Sequence, residues 1–223
     1  MVTNSVAVVT GGSTPWGLEA AMLLGRDHHV VLSDTHAEPL NRALDRLDSH
    51  GVSAESIVAD PVDPTSTRIL MAAAREAGPI AHVVHAGGAH VEADRPGDLI
   101  GTRVRGTVTI TEATLAVAEP GTTLIHPAAD GDQPPLPGVP RWGFRFAPRD
   151  PETLTSRLTR LVELGPARLA PAAAAALAEM FVQWYCGRTA ARFTARGATL
   201  RTVPASDLAA TCRALERAAR VAA

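Results

Sequence analysis

Ser5-Val6-Ala7-Val8-Val9-Thr10-Gly11-Gly12-Ser13-Thr14-Pro15-Trp16-Gly17-Leu18 is the stretch that decides how this chain folds. Ser5 to Thr10 is a short apolar run rich in β-branched residues, which predicts a buried strand. The run passes into a glycine-bearing turn, and Gly17 to Leu24 predicts a helix that starts at once. Glycines let the main chain approach a charged ligand closely, while N–H groups and the dipole at a helix start favour an anion. Strand, glycine turn and helix in immediate succession are therefore a phosphate-binding context. Pro15 takes one donor out of the turn, but at a first helical position that donor has no helical partner anyway. Trp16 puts a bulky indole beside the phosphate position, where it either walls the site or plugs it.

Outward from this turn the chain alternates strand-like and helix-like stretches. Further strands are predicted at Ser33 and the residues from His29 before it, Ser56 to Val58, His82 to His85, Thr122 to His126 and Thr199 to Val203. Helices are predicted near Pro39 to His50, Thr65 to Ala77 and Ile100 to Ala118, long enough for the crossovers that parallel strands require. The fold class that follows is α/β, a Rossmann-like doubly wound parallel sheet of about six strands with helices on both faces. No repeat or linker interrupts it, so residues 1–223 read as one domain, with a terminal helix within 205–223. Asp34 closes the second strand, where a carboxylate can accept ribose hydroxyls, and Asp60-Pro61 follows the third.

Composition narrows the function classes. The chain has 223 residues, 46% of them hydrophobic, and a formal charge of −2, which allows a full core and gives no basic field for nucleic acid. The start carries no basic-then-apolar signal, and Pro171 to Leu177 is too short to span a bilayer, so a cytoplasmic protein without membrane contact is expected. Cys186 and Cys212 lack ligand spacing, so neither a metal site nor a disulfide framework is expected. All 21 of the Lys+Arg positions are arginine, and there is one tyrosine.

At Thr10, Gly11 and Gly17 the chain resembles the short-chain dehydrogenase/reductase family, whose opening motif is Thr-Gly-x-x-x-Gly-x-Gly. Pro15 stands at the middle glycine. Asp60 matches the family's aspartate facing adenine, and Val84-His85-Ala86-Gly87 keeps the Ala-Gly of its Asn-Asn-Ala-Gly motif. Arg103-Val104-Arg105-Gly106-Thr107 is similar to the family's Asn-Val-x-Gly-Thr. The likeness covers roughly the first 128 residues and resumes near Ala190 to Pro204. It implies a nicotinamide dinucleotide held by Thr10, Gly11, Ser13, Trp16, Gly17, Asp34, Asp60, Pro61, Ala86 and Gly87. Asp34 favours NAD, because a carboxylate repels an adenosine 2′-phosphate.

The catalytic pattern of that family is not matched. It uses a tyrosine as general acid/base, a lysine that lowers the tyrosine pKa and grips the ribose, a serine and an asparagine. With no lysine, a Tyr-x-x-x-Lys pair cannot exist. Alignment places Arg103 at the asparagine, Pro127-Ala128 at the serine, and Ala175 and Glu179 near the tyrosine and lysine. Tyr185 stands only 12 positions before Gly197, almost three helical turns too late, and reads as a core or interface aromatic with Phe181 and Trp184. His85 and His126, at the carboxyl edge of the sheet, are either proton carriers or histidines satisfied by neighbouring groups. His126 and Arg103, the latter as an anion or carbonyl clamp, are the catalytic candidates.

Residues 127–151 hold seven prolines together with Trp142, Phe144, Phe146, Arg141, Arg145 and Arg149, and read as a lid, an interface insertion or a tether. An amphipathic helix follows, started by Pro151 and Glu152 and stopped by Gly165-Pro166. After Thr199 to Pro204 the family supplies a substrate loop and a seventh strand, whereas this chain runs into an Ala/Arg-rich helix, an abbreviated C-terminal part. Three function classes follow: a noncatalytic NAD(H)-binding protein, paired as a homodimer or with an active homologue; an oxidoreductase with rearranged acid/base residues; and a non-redox cyclase or lyase acting on a small molecule.

Overall fold

The structure, a computed structural model, describes residues 5–88, 95–128, 144 and 150–222. Six strands, β1 (Val6–Thr10), β2 (His29–Asp34), β3 (Ala54–Val58), β4 (Ile80–His85), β5 (Thr123–Ala128) and β6 (Thr199–Pro204), form one sheet in the order β3-β2-β1-β4-β5-β6. Every pairing is parallel. The chain steps outward from β1 to β3 and then returns past β1 to β4. A crevice at the carboxyl ends of the strands therefore opens between β1 and β4. Two strands begin earlier than their apolar runs suggest, because main-chain pairing starts first: Val30 N–H donates to the Ser53 carbonyl at 2.9 Å and Val6 N–H to that of Pro79 at 2.8 Å.

The helices are α1 (Pro15–Leu24), α2 (Ala37–Ser49), α3 (Pro64–Ala77), α4 (Pro96–Val117), α5 (Pro151–Glu163), α6 (Ala170–Thr194) and α7 (Leu208–Ala222). Three of them start on the same device. Thr14, Asp63 and Asp150 accept N–H groups of the first turn through their side chains, and a proline follows each cap. Strand side chains alternate between two cores, as the period of two requires. Ala7, Val9, Leu32 and Val84 pack with Leu24, Leu40, Leu47, Leu208 and Cys212 under α1, α2 and α7. Val6, Val8, Val31 and Val83 pack with Leu70, Met71, Ile110 and Phe193 under α3, α4 and α6. Each such leucine or isoleucine stabilises the fold by about 1.5–3 kcal/mol relative to exposure.

A third core lies outside the sheet. Leu154, Leu158 and Val162 of α5, spaced by four, join Ile100, Val104 and Val108 of α4 and Leu177 and Phe181 of α6. The helices approach closely because α4 is bare at the contact: a Cβ on Gly97 would come within 2.9 Å of the Thr159 side chain. Phe144 is buried in the same core, its ring 5.6 Å from those of both Phe181 and Trp184. The ends of the proline-rich insertion belong to β5 and α5. Its Trp142, Phe146, Arg141, Arg145 and Arg149 lie outside the described residues. Among the described residues no helix is long and apolar enough to cross a membrane.

Candidate functional site

The turn after β1 requires its glycines. Gly11 has φ +70°, and a Cβ there would fall 2.2 Å from the Gly87 backbone. A Cβ on Gly17 would fall 2.2 Å from the Gly11 carbonyl oxygen. The turns after β1 and β4 thus touch backbone to backbone at the mouth of the crevice. The main chain of the turn is held by its own bonds: Gly12 N–H donates to the Ser33 carbonyl at 2.9 Å, Thr14 N–H to that of Gly11 at 3.0 Å, and Gly17 N–H to Thr14 Oγ1 at 3.1 Å.

Asp34 ties the end of β2 to this turn. Its Oδ2 accepts from Ser13 N–H at 3.1 Å and from the Ser13 hydroxyl at 2.5 Å, and its Oδ1 accepts Thr35 N–H at 2.7 Å. The same carboxylate that reads as a ribose acceptor therefore also orders the loop. Asp60, after β3, orders its own loop by accepting Val62 N–H at 2.9 Å.

These residues surround a cavity of about 530 Å³, within the range of small-molecule sites. Of the predicted contacts, Thr10, Gly11, Ser13, Asp34, Asp60, Pro61 and Gly87 line it. Trp16, Gly17 and Ala86 do not. Trp16 packs against the core beneath α1, α2 and α7, Ala86 is buried, and Gly17 sits against the Gly11 carbonyl. The cavity also takes in Thr35, His36, Ala59 and Val62, which sequence reasoning did not single out. Their signal was position alone, since each directly follows or flanks the end of β2 or β3.

The catalytic candidates lie elsewhere. His85 and His126 are 3% and 1% exposed at the carboxyl ends of β4 and β5, with their rings edge to face at 5.4 Å. His85 Nδ1 and Thr10 Oγ1 are 2.6 Å apart, and His126 Nε2 lies 2.8 Å from Thr111 Oγ1. Burial, reinforced by the Arg103 charge, pushes the His85 pKa down to about 3. Burial, with His85 and Arg103 nearby, holds His126 well below its ordinary value. Both are neutral at pH 7; His126 Nε2 has a partner in Thr111, whereas His85 Nε2 has none. Arg103 is 9% exposed and donates to Glu179 Oε2 at 2.7 Å, while Glu179 Oε1 accepts Gln183 Nε2 at 3.1 Å. The two positions aligned with the family's asparagine and lysine thus form a buried ion pair between α4 and α6.

Tyr185 belongs to the third core. It is buried, stacks on Phe181 at 5.5 Å and donates its hydroxyl to Glu112 Oε1 at 2.8 Å, while Arg192 grips the same carboxylate with both nitrogens, at 2.5 and 2.9 Å. Burial and the Glu112 charge raise its pKa, the reverse of what a proton-transferring phenol needs. Burial pushes the Cys186 thiol up to about 12, which leaves it unreactive. No cluster of three or more metal-ligating side chains occurs among the described residues.

No protein-family model matches the sequence, and no curated protein matches it. Solved structures match in shape. A short-chain dehydrogenase from Mycobacterium smegmatis superposes with TM-score 0.67 at 16% identity, covering 96% of this chain and 86% of that one. A metagenomic short-chain oxidoreductase solved with NADP gives 0.66 at 16%, covering 96% and 90%. A short-chain dehydrogenase from Burkholderia cenocepacia solved with NADP gives 0.63 at 19%, covering 91% and 74%. At these identities the likeness is one of fold. This chain has the Rossmann-like α/β architecture that short-chain dehydrogenases and reductases have.

Proposed function

We propose that this chain binds a nicotinamide dinucleotide, NAD in preference to NADP, and lacks the catalytic turnover of short-chain dehydrogenases. In this reading it serves as a noncatalytic subunit, paired with a second copy or with an active homologue. The observation that carries the proposal is the contrast at the carboxyl edge of the sheet: an open cavity on Gly11, Asp34 and Asp60, beside a buried Arg103–Glu179 pair where the resemblance places catalytic groups. The cavity's residues fit the adenosine end of such a cofactor. Asp34 offers a carboxylate to the ribose, and the start of α1 offers its dipole to phosphate. When bound, the cofactor would supply a hydride donor or acceptor. No described side chain in the cavity is placed as a tyrosine or lysine acid/base beside it.

Two features support the preference for NAD. Asp34 places a negative charge at the ribose position, and among the described residues that line the cavity none is an arginine that could pair a 2′-phosphate. The decisive experiment titrates purified protein with NADH and NADPH, with Asp34→Ala alongside, and then assays ketone and alcohol turnover. The proposal expects NADH binding that weakens in Asp34→Ala, weaker NADPH binding and no turnover. Turnover lost in His126→Ala or Arg103→Ala would return the chain to the enzymes. Co-expression with an active homologue tests pairing, with a stable mixed complex as the expected result.

A further inference from the structure

We propose that β3 is the docking edge for a second copy of this chain, the two β3 strands pairing antiparallel about a two-fold axis at Ser56 and joining two six-stranded sheets into one. This rests on the pairing between copies put forward above and names its surface. β3 ends the sheet, and β2 is its only strand partner among the described residues. The bonds to β2 fix which backbone groups of β3 are left over. Val30 N–H donates to the Ser53 carbonyl at 2.9 Å, and Ala59 N–H to the Asp34 carbonyl at 3.0 Å. In the register that runs from Val30↔Ala54 to Asp34↔Val58, Glu55 and Ile57 therefore turn their main-chain groups toward β2. Ala54, Ser56 and Val58 turn theirs outward.

This outward row complements itself. With Ser56 opposite the partner's Ser56, Ala54 meets the partner's Val58 and Val58 the partner's Ala54, so each outward N–H finds an outward carbonyl. The side chains of the row are small and uncharged, and Val58, which is 55% exposed, gains an apolar neighbour. Glu55 is the charged residue of the strand. It comes to lie opposite the partner's Ile57 rather than a second carboxylate, and His29 Nε2 stands 3.9 Å from it within its own chain. An edge strand is a template for strand addition unless proline, a bulge or a charge in the outward row guards it. The outward row of β3 has none of these. The opposite edge is guarded. Thr199 N–H donates to the Thr122 carbonyl at 2.8 Å, which puts Leu200, Thr202 and Pro204 in the outward row of β6, and Pro204 has no N–H to give.

The test is sedimentation velocity of the full chain at about 1–100 μM, with Ser56→Pro and Ser56→Cys alongside. Proline removes an N–H that β2 does not use, so Ser56→Pro should keep the wild-type circular dichroism spectrum and sediment as a monomer where the wild type is a dimer. In the paired strands the two Ser56 Cα atoms lie about 5.5 Å apart, inside the roughly 4.4–6.8 Å that a disulfide spans. Ser56→Cys should therefore oxidise to a covalent dimer, while the buried Cys186 and Cys212 leave the wild type unlinked. Where Ser56→Pro fails to fold, the Ser56→Cys link decides. A dimer that survives in folded Ser56→Pro, or a Ser56→Cys chain that stays unlinked while the wild type is dimeric, overturns this proposal and leaves pairing through another surface standing. A wild-type monomer at every concentration overturns both this edge and pairing between copies.

Discussion

The two halves of the sheet's carboxyl edge are built from the same kinds of elements and end differently. On the β1–β2–β3 side the strand ends carry aspartates and hydroxyls that face a cavity, and their bonds are short-range ties between neighbouring loops. On the β4–β5 side the strand ends carry two buried histidines, packed edge to face and within reach of the charge of Arg103, which pairs with Glu179 between α4 and α6. The difference teaches that one sheet edge can present two different surfaces, because each strand end is finished by its own loop and helix partners. One part of the edge carries polar surface while another buries polar groups, most of them paired, though His85 Nε2 is left without a partner.

The comparison is tested hardest on the closed side. Glu179→Ala strips Arg103 of its buried carboxylate and should destabilise the protein by about 3–5 kcal/mol, measured by urea unfolding. A loss near zero would mean that this edge is wet and open. Acid gives the next largest effect. His82, against His28 at the opposite edge, is pushed by burial down to about 4, and His85 to about 3. Unfolded histidines take up a proton near their ordinary value of 6.5 while these folded ones do not. Stability is therefore full above 6.5 and falls as pH drops toward 4 and then 3. The His82 contribution alone is about 3 kcal/mol. A flat thermal midpoint between pH 7 and 5 would contradict the burial of these rings.

On the open side, substitutions should move binding more than stability. Asp34→Ala should weaken NADH binding by roughly tenfold, the scale of one charge-assisted hydrogen bond. Its effect on unfolding should be the smaller one, because only loop ties are lost. Smallest is Thr14→Ala, which removes the cap on Gly17 N–H and should cost about 1 kcal/mol by thermal denaturation.

The open half was also the legible half. Glycine turn and strand-end aspartates act on residues a few positions away, so local pattern exposes them. Asp34 was read as a ribose acceptor, but its bond to Ser13, 21 positions back, was not. The closed half depends on partners 76 positions apart for Arg103 and Glu179, and 73 for Glu112 and Tyr185. No periodicity encodes which buried charge meets which. The amphipathic pattern of α5 predicted a helix correctly but could not say that bare glycines on α4 would receive it.

One feature of the first core joins distant parts of the chain. Helix α1 packs on β1, β2 and α2 on one flank and on Leu208 and Cys212 of α7 on the other. The α1–α7 contact closes a loop that spans most of the sheet, so it is entropically among the costliest contacts to form and adds to the non-local pairing that slows folding. A cut in any loop between the two helices should therefore loosen the grip of α7 on α1 before it disturbs the local α1–α2 packing.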